Sequence, residues 1–400
     1  MKTLLLMTLA CFAPLAGADA ITTWNKTGCD AVFATPMLPP MATRILAIMH
    51  TAAYEAANAI TGRYPVKLIA VDAPSDASVD AAVAAASRTV LLELVPGQKD
   101  SIETAYAGAL ATLPTNAQRD AGIAVGERAA KAVLALRADD GASAAESYRP
   151  QTTPGAYVST TVPAVSQWPQ RKPWLMKSGA QFRPGPPPAL SSERYARDYN
   201  EIKAVGARQN STRSAEQTAI ARFWTATSPA IYQELVRGAV DTPGRDLMRN
   251  ARLFAALTQA MDDALIAVFD AKYAYAYWRP ITAIRNGDRD GNDATERDAG
   301  WVPFIDTPPH PEYPCAHCIA ASTVATVLGA DLDAAAVPPL STSSPTAEGA
   351  VRHWPTLEAF VAEVGNARIY DGVHYRNSTE VGAEMGRKVG ALAVQKYLRN

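Results

Sequence analysis

Between residues 37 and 137 the apolar positions recur at steps of three and four, which places them on one face of an α-helix. Proline, glycine or clusters of Ser, Thr and Asn separate the helical segments from one another. The segments read PPMATRILAIMHTAAYEAANAI, SVDAAVAAASRTVLLELV, SIETAYAGALATL and AQRDAGIAVGERAAKAVLALRA. This part of the chain is therefore predicted to be a set of packed helices.

The helical periodicity is lost between residues 139 and 192, where proline, serine and aromatic residues dominate. Three large aromatic residues, Trp168, Trp174 and Phe182, favour a segment that wraps the surface in an ordered way. Helical periodicity returns after Ser192. We predict an all-α fold with an N-terminal helical region at 21–138, a Pro-rich irregular segment at 139–192 and a C-terminal helical region at 193–400.

The first twenty residues, MKTLLLMTLACFAPLAGADA, have the pattern of a signal peptide. Lys2 gives the positive start, residues 4–15 form an apolar stretch too short to span a bilayer, and 18–20 form an A-x-A cleavage site. The pattern predicts a mature chain that begins at Ile21 and is exported to the periplasm or secreted. No later run reaches transmembrane length, so an integral membrane protein is not expected.

Composition restricts the function further. The chain is 48% hydrophobic and 19% charged with a net charge of −1 and has no dense Lys/Arg run, which argues against nucleic-acid binding. Removal of the signal peptide would leave Cys29, Cys315 and Cys318. In an oxidising compartment an odd count means one disulfide and one free thiol, or no disulfide.

Two cations stand seven residues apart in the segment KYAYAYWRP. Seven residues make two helical turns, so Lys272 and Arg279 are predicted to project from one face of a helix that Pro280 ends or kinks. Their neighbours are aromatic or apolar, so the two charges need an anion. A protein carboxylate would serve as well as a ligand, although Asp263 and Asp270 lie roughly opposite Lys272 on the helical wheel.

A second segment, PEYPCAHC, contains a histidine inside a C-x-x-C motif. A redox dithiol would follow a β-strand and a zinc site would need a second Cys/His pair, and neither is present. The next residues, IAASTVATVLGADL, are typical of a helix. We interpret the motif as a helix start where the Cys315 and Ala316 amides are free to bind an anion, with His317 beside them.

A third segment, ARIYDGVH, carries Arg368 and His374 around an Asp-Gly turn. Taken together, the three segments offer cations, free amides and two imidazoles, a set that suits a tetrahedral oxyanion. They also resemble the three-part signature of the vanadium-dependent haloperoxidase and type-2 phosphatidic acid phosphatase superfamily, K-x6-RP, PSGH and SR-x5-H, in order and in spacing. The resemblance implies helical bundles that bind vanadate, or phosphate at the same site.

The resemblance also implies roles for individual residues. Three cations, Lys272, Arg279 and Arg368, would hold the equatorial oxygens together with the start of the helix at Cys315 and Ala316. His374 would ligate vanadium or attack phosphorus, and His317 would be the acid/base at the apical oxygen. His310 and Phe269 would belong to the halide or substrate pocket.

Several positions depart from the family pattern. Cys315, Ala316 and Ala367 replace Ser, Gly and Ser, and Ser378 replaces the aspartate that orients the histidine in the phosphatases. His310 stands where chloroperoxidases have Phe and some bromoperoxidases have His. We therefore expect a peroxidase that uses hydrogen peroxide and a halide, bromide above all. An acid phosphatase that acts on a phosphate ester through a phosphohistidine, and an oxyanion-binding protein without activity, remain alternatives.

The cysteine pairing is a separate hypothesis. If the helix begins near His317, Cys315 faces the oxyanion and Cys318 turns away from it. We therefore expect Cys318 to pair with Cys29, which would leave Cys315 free.

Overall fold

The computed structural model describes residues 19–159, 161–242 and 244–399, and helices dominate it, which confirms the predicted all-α fold. One small antiparallel sheet, β1 (Leu340–Ser343) with β2 (Val351–Trp354), lies among the described residues. The helices are α1 (Ala20–Phe33), α2 (Pro39–Thr61), α3 (Val79–Leu94), α4 (Lys99–Ala111), α5 (Ala117–Arg137), α6 (Glu193–Val205), α7 (Ala215–Phe223), α8 (Ala230–Val240), α9 (Leu247–Tyr275), α10 (Pro280–Arg285), α11 (Ala316–Leu332), α12 (Leu357–Tyr370) and α13 (Arg376–Ala393).

Local capping explains where the N-terminal helices begin. The Ser78 side chain accepts a hydrogen bond from the Ala81 amide at the start of α3, and Asn116 caps α5 in the same way. Helices α2, α3 and α5 pack together, and α2 also packs on α9. A Cβ atom at Gly126 of α5 would clash with the Ala82 carbonyl of α3, so the absence of a side chain allows these two helices to approach closely.

The Pro-rich segment between α5 and α6 has 3₁₀ turns at Trp168–Gln170 and Gly179–Phe182 but no α-helix in its described residues. Buried polar contacts attach it to α9. Arg171 forms an ion pair with Asp262 at 2.6 Å, and the Asp263 carboxylate accepts hydrogen bonds from the amides of residues 174–176. The Asp263 carboxylate therefore stabilises the attachment of the Pro-rich segment to α9.

Helix α9 runs through the centre of the molecule, and α11 and α13 pack against it and against each other. Three glycines of α13 at four-residue spacing, Gly382, Gly386 and Gly390, face α11. A Cβ atom at Gly382 would lie only 2.6 Å from the Cys315 carbonyl oxygen, and one at Gly386 would clash with the Ile319 carbonyl. The close approach of α13 fixes the start of α11, where the candidate chemistry lies.

The predicted helix from Lys272 to Arg279 is wrong. Helix α9 ends at Tyr275, and Ala276 adopts the left-handed conformation with a φ of 44°. Arg279 is instead the N-cap of α10, whose first residue is Pro280. The chain leaves the helix because it pairs with the Pro-rich segment, where the Trp278 amide donates to the Gly155 carbonyl. Lys272 and Arg279 therefore lie on different elements.

Residues 1–18 of the predicted signal peptide lie outside the described residues. Of its last two residues, Asp19 caps α1 by accepting a hydrogen bond from the Thr22 amide, and Ala20 is the first residue of that helix. Within 19–159, 161–242 and 244–399, no helix combines the length and the apolar character needed to cross a membrane.

Candidate active site

A cavity of about 510 Å³ opens between α2, α9, α11 and the loop before α11. Its floor is formed by Ala316, His317, Arg368 and His374, which we call the cavity floor. The structure thus brings together the second and third sequence segments, which are far apart in the chain. His310 and Phe269 also line the cavity, and their rings pack edge to face with 5.2 Å between centroids.

Lys272 and Arg279 lie behind the floor and are almost completely buried. The Lys272 ammonium donates to the Pro311 and Glu312 carbonyls, each at 2.9 Å. The Arg279 guanidinium donates to the Val373 carbonyl at 2.8 Å and to His310 Nδ1 at 2.9 Å. The two cations therefore hold the loops on either side of the floor and add positive charge beneath it.

A buried carboxylate orients His374. Glu312 Oε1 lies 2.8 Å from His374 Nδ1 and also accepts a hydrogen bond from the Tyr375 amide. Arg279 Nη1 lies 3.4 Å from His374 Nε2, and a guanidinium only donates, so Nε2 presents a lone pair and Nδ1 carries the proton toward Glu312.

The sequence patterns did not identify Glu312. With Ser378 in place of the phosphatases' aspartate, Glu312 is the carboxylate that orients His374. Glu312 is fully buried, and burial raises its pKa to about 7, opposed mainly by Arg279 and Lys272. A lone glutamate in HPEYP, directly before the PCAH motif, was the available signal. Burial and the neighbouring cations hold the pKa of His374 well below its usual value, so the ring is neutral.

Arg368 lies in the last turn of α12. Its Nη1 atom donates to the Trp224 carbonyl at 2.8 Å and to Asp371 Oδ2 at 2.6 Å. Its Nε atom is buried and has no hydrogen-bond partner among the described residues. Burial raises the pKa of Asp371 to about 7, while Arg368 lowers it. Arg368 is thus fixed at one end, and its side chain lines the floor.

Helix α11 begins at Ala316 with Cys315 as its N-cap. The expectation of a free Cys315 amide is wrong, because that amide donates to the Ser378 carbonyl at 3.1 Å. By contrast, the Ala316 and His317 amides have no acceptor in the part of the chain that the structure describes. These two unpaired donors sit at the positive end of the helix dipole and at the cavity floor.

His317 has a defined tautomer. Its Nε2 atom lies 3.1 Å from the Ala226 carbonyl, and a carbonyl only accepts, so Nε2 carries the proton. Nδ1 is then the basic nitrogen. Burial and the nearby Arg368 charge lower the pKa of His317 well below its usual value. The ring is therefore a neutral base beside the floor.

The charges around the floor do not balance. Two guanidiniums, Arg279 and Arg368, and the Lys272 amine face two acids, Glu312 and Asp371, whose pKa values burial raises to about 7. Burial also lowers the pKa of Arg279 to about 10 and that of Lys272 well below its usual value. An anion on the floor would relieve this excess of positive charge and accept from the unpaired donors.

The cysteines do not pair as expected. Cys315 is bonded to Cys318, and Cys29 is free and buried, so the Cys29–Cys318 hypothesis is wrong. The Cys315 sulfur accepts a hydrogen bond from the Cys318 amide at the start of α11 and does not line the cavity. A side-chain role for Cys315 toward an oxyanion is therefore not supported. Both bonded cysteines are fully buried, which also argues against thiol–disulfide exchange.

The disulfide yields a first prediction. Non-reducing peptide mapping should find Cys315 linked to Cys318, and Cys29 should react with alkylating agents only after unfolding, because burial raises its pKa to about 11. In the chain-entropy model, reduction of a disulfide that closes so short a loop should lower the free energy of unfolding by ~2 kcal/mol. Urea denaturation with and without reductant measures the difference. A variant with both Cys315→Ser and Cys318→Ser should not respond to reductant. A Cys29–Cys318 peptide would contradict the structure.

Residues 252–400 match the family model of the second helical-bundle domain of vanadium chloroperoxidases. Vanadium chloroperoxidase from Curvularia inaequalis is 30% identical over an alignment of 167 positions that covers 34% of this chain and 27% of that relative, so the match spans about a quarter of the relative. A bacterial vanadium-dependent iodoperoxidase structure has a TM-score of 0.77 at 24% identity and covers 94% of this chain and 95% of its own. An apo-type bacterial vanadium-dependent chloroperoxidase has a TM-score of 0.73 at 18% identity, with coverages of 92% and 95%.

Proposed function

Because the chain belongs to the vanadium haloperoxidase superfamily, we propose that it is a vanadate-dependent peroxidase that oxidises halide with hydrogen peroxide. One observation carries the proposal. His374 presents an unprotonated Nε2 to a floor of unpaired donors and excess positive charge, while Glu312 holds the opposite nitrogen. That arrangement suits a histidine ligand to an oxyanion's central atom.

The residues present fit vanadate. His374 Nε2 would be the protein ligand, and the Arg368 guanidinium and the Ala316 and His317 amides would donate to its oxygens. Lys272 would act from behind the floor, through its charge. When bound, vanadate supplies the activation of hydrogen peroxide toward halide oxidation.

The chain's own contribution is binding, orientation and proton transfer. Arg368 is held by Asp371 and the Trp224 carbonyl, so its donor is fixed before an anion arrives. His317 Nδ1 can accept a proton from hydrogen peroxide that enters the cavity and return it to a leaving hydroxide, which departs as water. The Ala226 carbonyl keeps that tautomer by accepting from Nε2.

The identity of the halide is also proposed. The relatives' names include a chloroperoxidase and an iodoperoxidase. We expect bromide or iodide rather than chloride, because position 310 is His where the family resemblance gives chloroperoxidases Phe. We also propose export to the periplasm or medium, on the signal-peptide pattern of residues 1–20.

An acid phosphatase is the second candidate, and the Glu312–His374 pair favours it too, since the same free Nε2 could attack phosphorus. The response to vanadate distinguishes the peroxidase from the phosphatase. We expect added vanadate to switch on bromide or iodide oxidation by hydrogen peroxide in purified protein. Hydrolysis of p-nitrophenyl phosphate that vanadate inhibits, without halide oxidation, would replace the peroxidase with the phosphatase. Anion binding without either activity would indicate a binding protein.

A further prediction tests the orienting role of Glu312. Glu312→Gln removes the carboxylate that fixes the His374 tautomer, and loss of such a partner costs about 10–100-fold in affinity. We expect the dissociation constant for vanadate, measured by calorimetry, to rise by that factor. Glu201→Gln is the matched control, because Glu201 pairs with Arg376 away from the cavity. Equal affinities in the wild type and Glu312→Gln would exclude the orienting role.

A further inference from the structure

The Cys315–Cys318 disulfide spans the part of α11 that lines the cavity floor. The two residues between the bonded cysteines are Ala316 and His317, and both line the cavity. Their amides have no acceptor among the described residues, and the His317 side chain is the basic group of the floor. The disulfide therefore closes a short loop around two backbone donors and a histidine of the proposed site.

Few other bonds hold the first turn of α11. The first four amides of a helix have no carbonyl partner within the helix, so helix ends fray. The Cys318 amide donates only to the Cys315 sulfur, and the first backbone hydrogen bond of the turn runs from the Ile319 amide to the Cys315 carbonyl at 3.2 Å. The Arg368 guanidinium lines the same floor and repels the positive end of the helix dipole. Without a cross-link, the turn would open readily before an anion binds.

The start of the loop is anchored on α13. The Cys315 amide donates to the Ser378 carbonyl at 3.1 Å, and the Cys315 carbonyl packs where Gly382 has no side chain. Cys318 packs against the same glycine, and both cysteines are fully buried. Because Cys315 is fixed by α13, its bond to Cys318 extends that anchor across the whole first turn.

We infer that the disulfide is a covalent clamp that positions the Ala316 and His317 amides for the anion. The inference rests on the proposed function, because it assigns the clamped donors to the oxyanion of that site. Donors that are fixed before a ligand arrives lose little conformational entropy when it binds, so a clamp raises affinity without contacting the ligand. The two cysteines act through the backbone between them and are positioning residues. A serine at position 315 could cap the helix but could not form this bond.

A binding experiment tests the clamp without catalysis. Cys315→Ser combined with Cys318→Ala keeps a capping oxygen and removes the cross-link. We expect its dissociation constant for inorganic phosphate, measured by calorimetry, to rise about tenfold, which is the cost of ordering about one residue of backbone. The binding entropy should become less favourable, because phosphate must then order the turn.

Two control variants separate the clamp from the sulfur atoms and from general stability. Cys29→Ala removes a buried sulfur that does not line the cavity. Val90→Ala lowers the stability of the fold from α3, where Val90 is fully buried and does not line the cavity. Both controls should bind phosphate as the wild type does. Wild-type affinity in the double variant, or the same loss of affinity in Val90→Ala, overturns the inference.

Amide hydrogen exchange gives a local measurement that a general loss of stability does not reproduce. In phosphate-free double variant, the Ile319 amide should lose at least tenfold more protection than the Val327 amide, which lies deeper in the same helix. Saturating phosphate should restore most of the protection at Ile319. Equal losses at the two amides would mean that the whole helix is destabilised and would overturn the inference.

The wild-type chain provides the same test without any substitution. After unfolding in urea and refolding in the presence of a phosphine reductant, the chain lacks the disulfide and should show the same loss of phosphate affinity as the double variant. Equal affinities of the oxidised and reduced chains, or no phosphate binding by the oxidised chain, overturn the inference. Halide oxidation by vanadate-loaded wild type is measured separately. Phosphate binding that depends on the disulfide, without halide oxidation, would confirm the clamp and overturn the proposed peroxidase.

Discussion

His374→Ala is expected to reduce vanadate-dependent halide oxidation to the background of vanadate-free protein. Among the cavity-floor residues, only His374 combines a free nitrogen with a carboxylate that holds the opposite nitrogen, since the partner of His317 Nε2 is the backbone carbonyl of Ala226. Removal of one essential member of a mutually dependent site costs more than about 10³-fold in turnover. Initial rates of iodide oxidation at saturating vanadate measure the loss.

Two further variants distinguish loss of the His374 nitrogen from loss of folding stability. His374→Ala leaves Glu312 buried without its partner, which should lower the free energy of unfolding by about 1–3 kcal/mol. His374→Asn keeps an N–H donor for Glu312 and should be more stable but equally inactive. His353→Ala is the control, because His353 is exposed on β2. Full turnover in His374→Asn would contradict the ligand assignment.

Arg368→Gln is expected to weaken phosphate and vanadate binding by roughly 2–4 kcal/mol, the range for truncating one partner of a buried charge pair. That range is about 30- to 1000-fold in the dissociation constant. The effect should be large because the Arg368 guanidinium is almost completely buried and lies on the cavity floor. Glutamine can still donate to Asp371, which protects the fold.

Isothermal titration with inorganic phosphate measures this effect without any activity. Arg376→Gln is the matched control, since Arg376 is half-buried and paired with Glu201 outside the cavity. Ligand binding also stabilises the folded state, by about 2.7 kcal/mol at a hundred times the dissociation constant. We therefore expect phosphate to raise the melting temperature of Arg376→Gln and the wild type but hardly that of Arg368→Gln. Equal shifts in all three proteins would remove Arg368 from the anion site.

Sequence periodicity predicted the helical character well because it reports which face of a segment is buried. The residues predicted as segments 39–60, 78–95, 101–113 and 117–138 lie mostly within α2 to α5. The prediction was wrong where the chain leaves a helix for a tertiary contact. The seven-residue step from Lys272 to Arg279 looked like two helical turns, but backbone pairing with the Pro-rich segment ends α9 first.

The candidate site was likewise predicted only in part from the sequence. Motif order and spacing brought Arg368, His374 and His317 to attention, and the structure places all three on one cavity floor. The carboxylate that orients His374 is 62 residues away in the chain, and no local pattern connects the two. The cysteine pairing was also missed, because it depends on how tightly the N-terminal turn of α11 brings positions 315 and 318 together.

The sequence by itself determined the all-α fold and the three segments that supply cations, amides and imidazoles, because these follow from local periodicity and spacing. The tertiary structure alone decided which nitrogen of His374 and of His317 is free and which donors remain unpaired. These features depend on which distant groups share a buried space, since hydrogen-bond partners and burial, not spacing, set tautomers, pKa values and cavity shape.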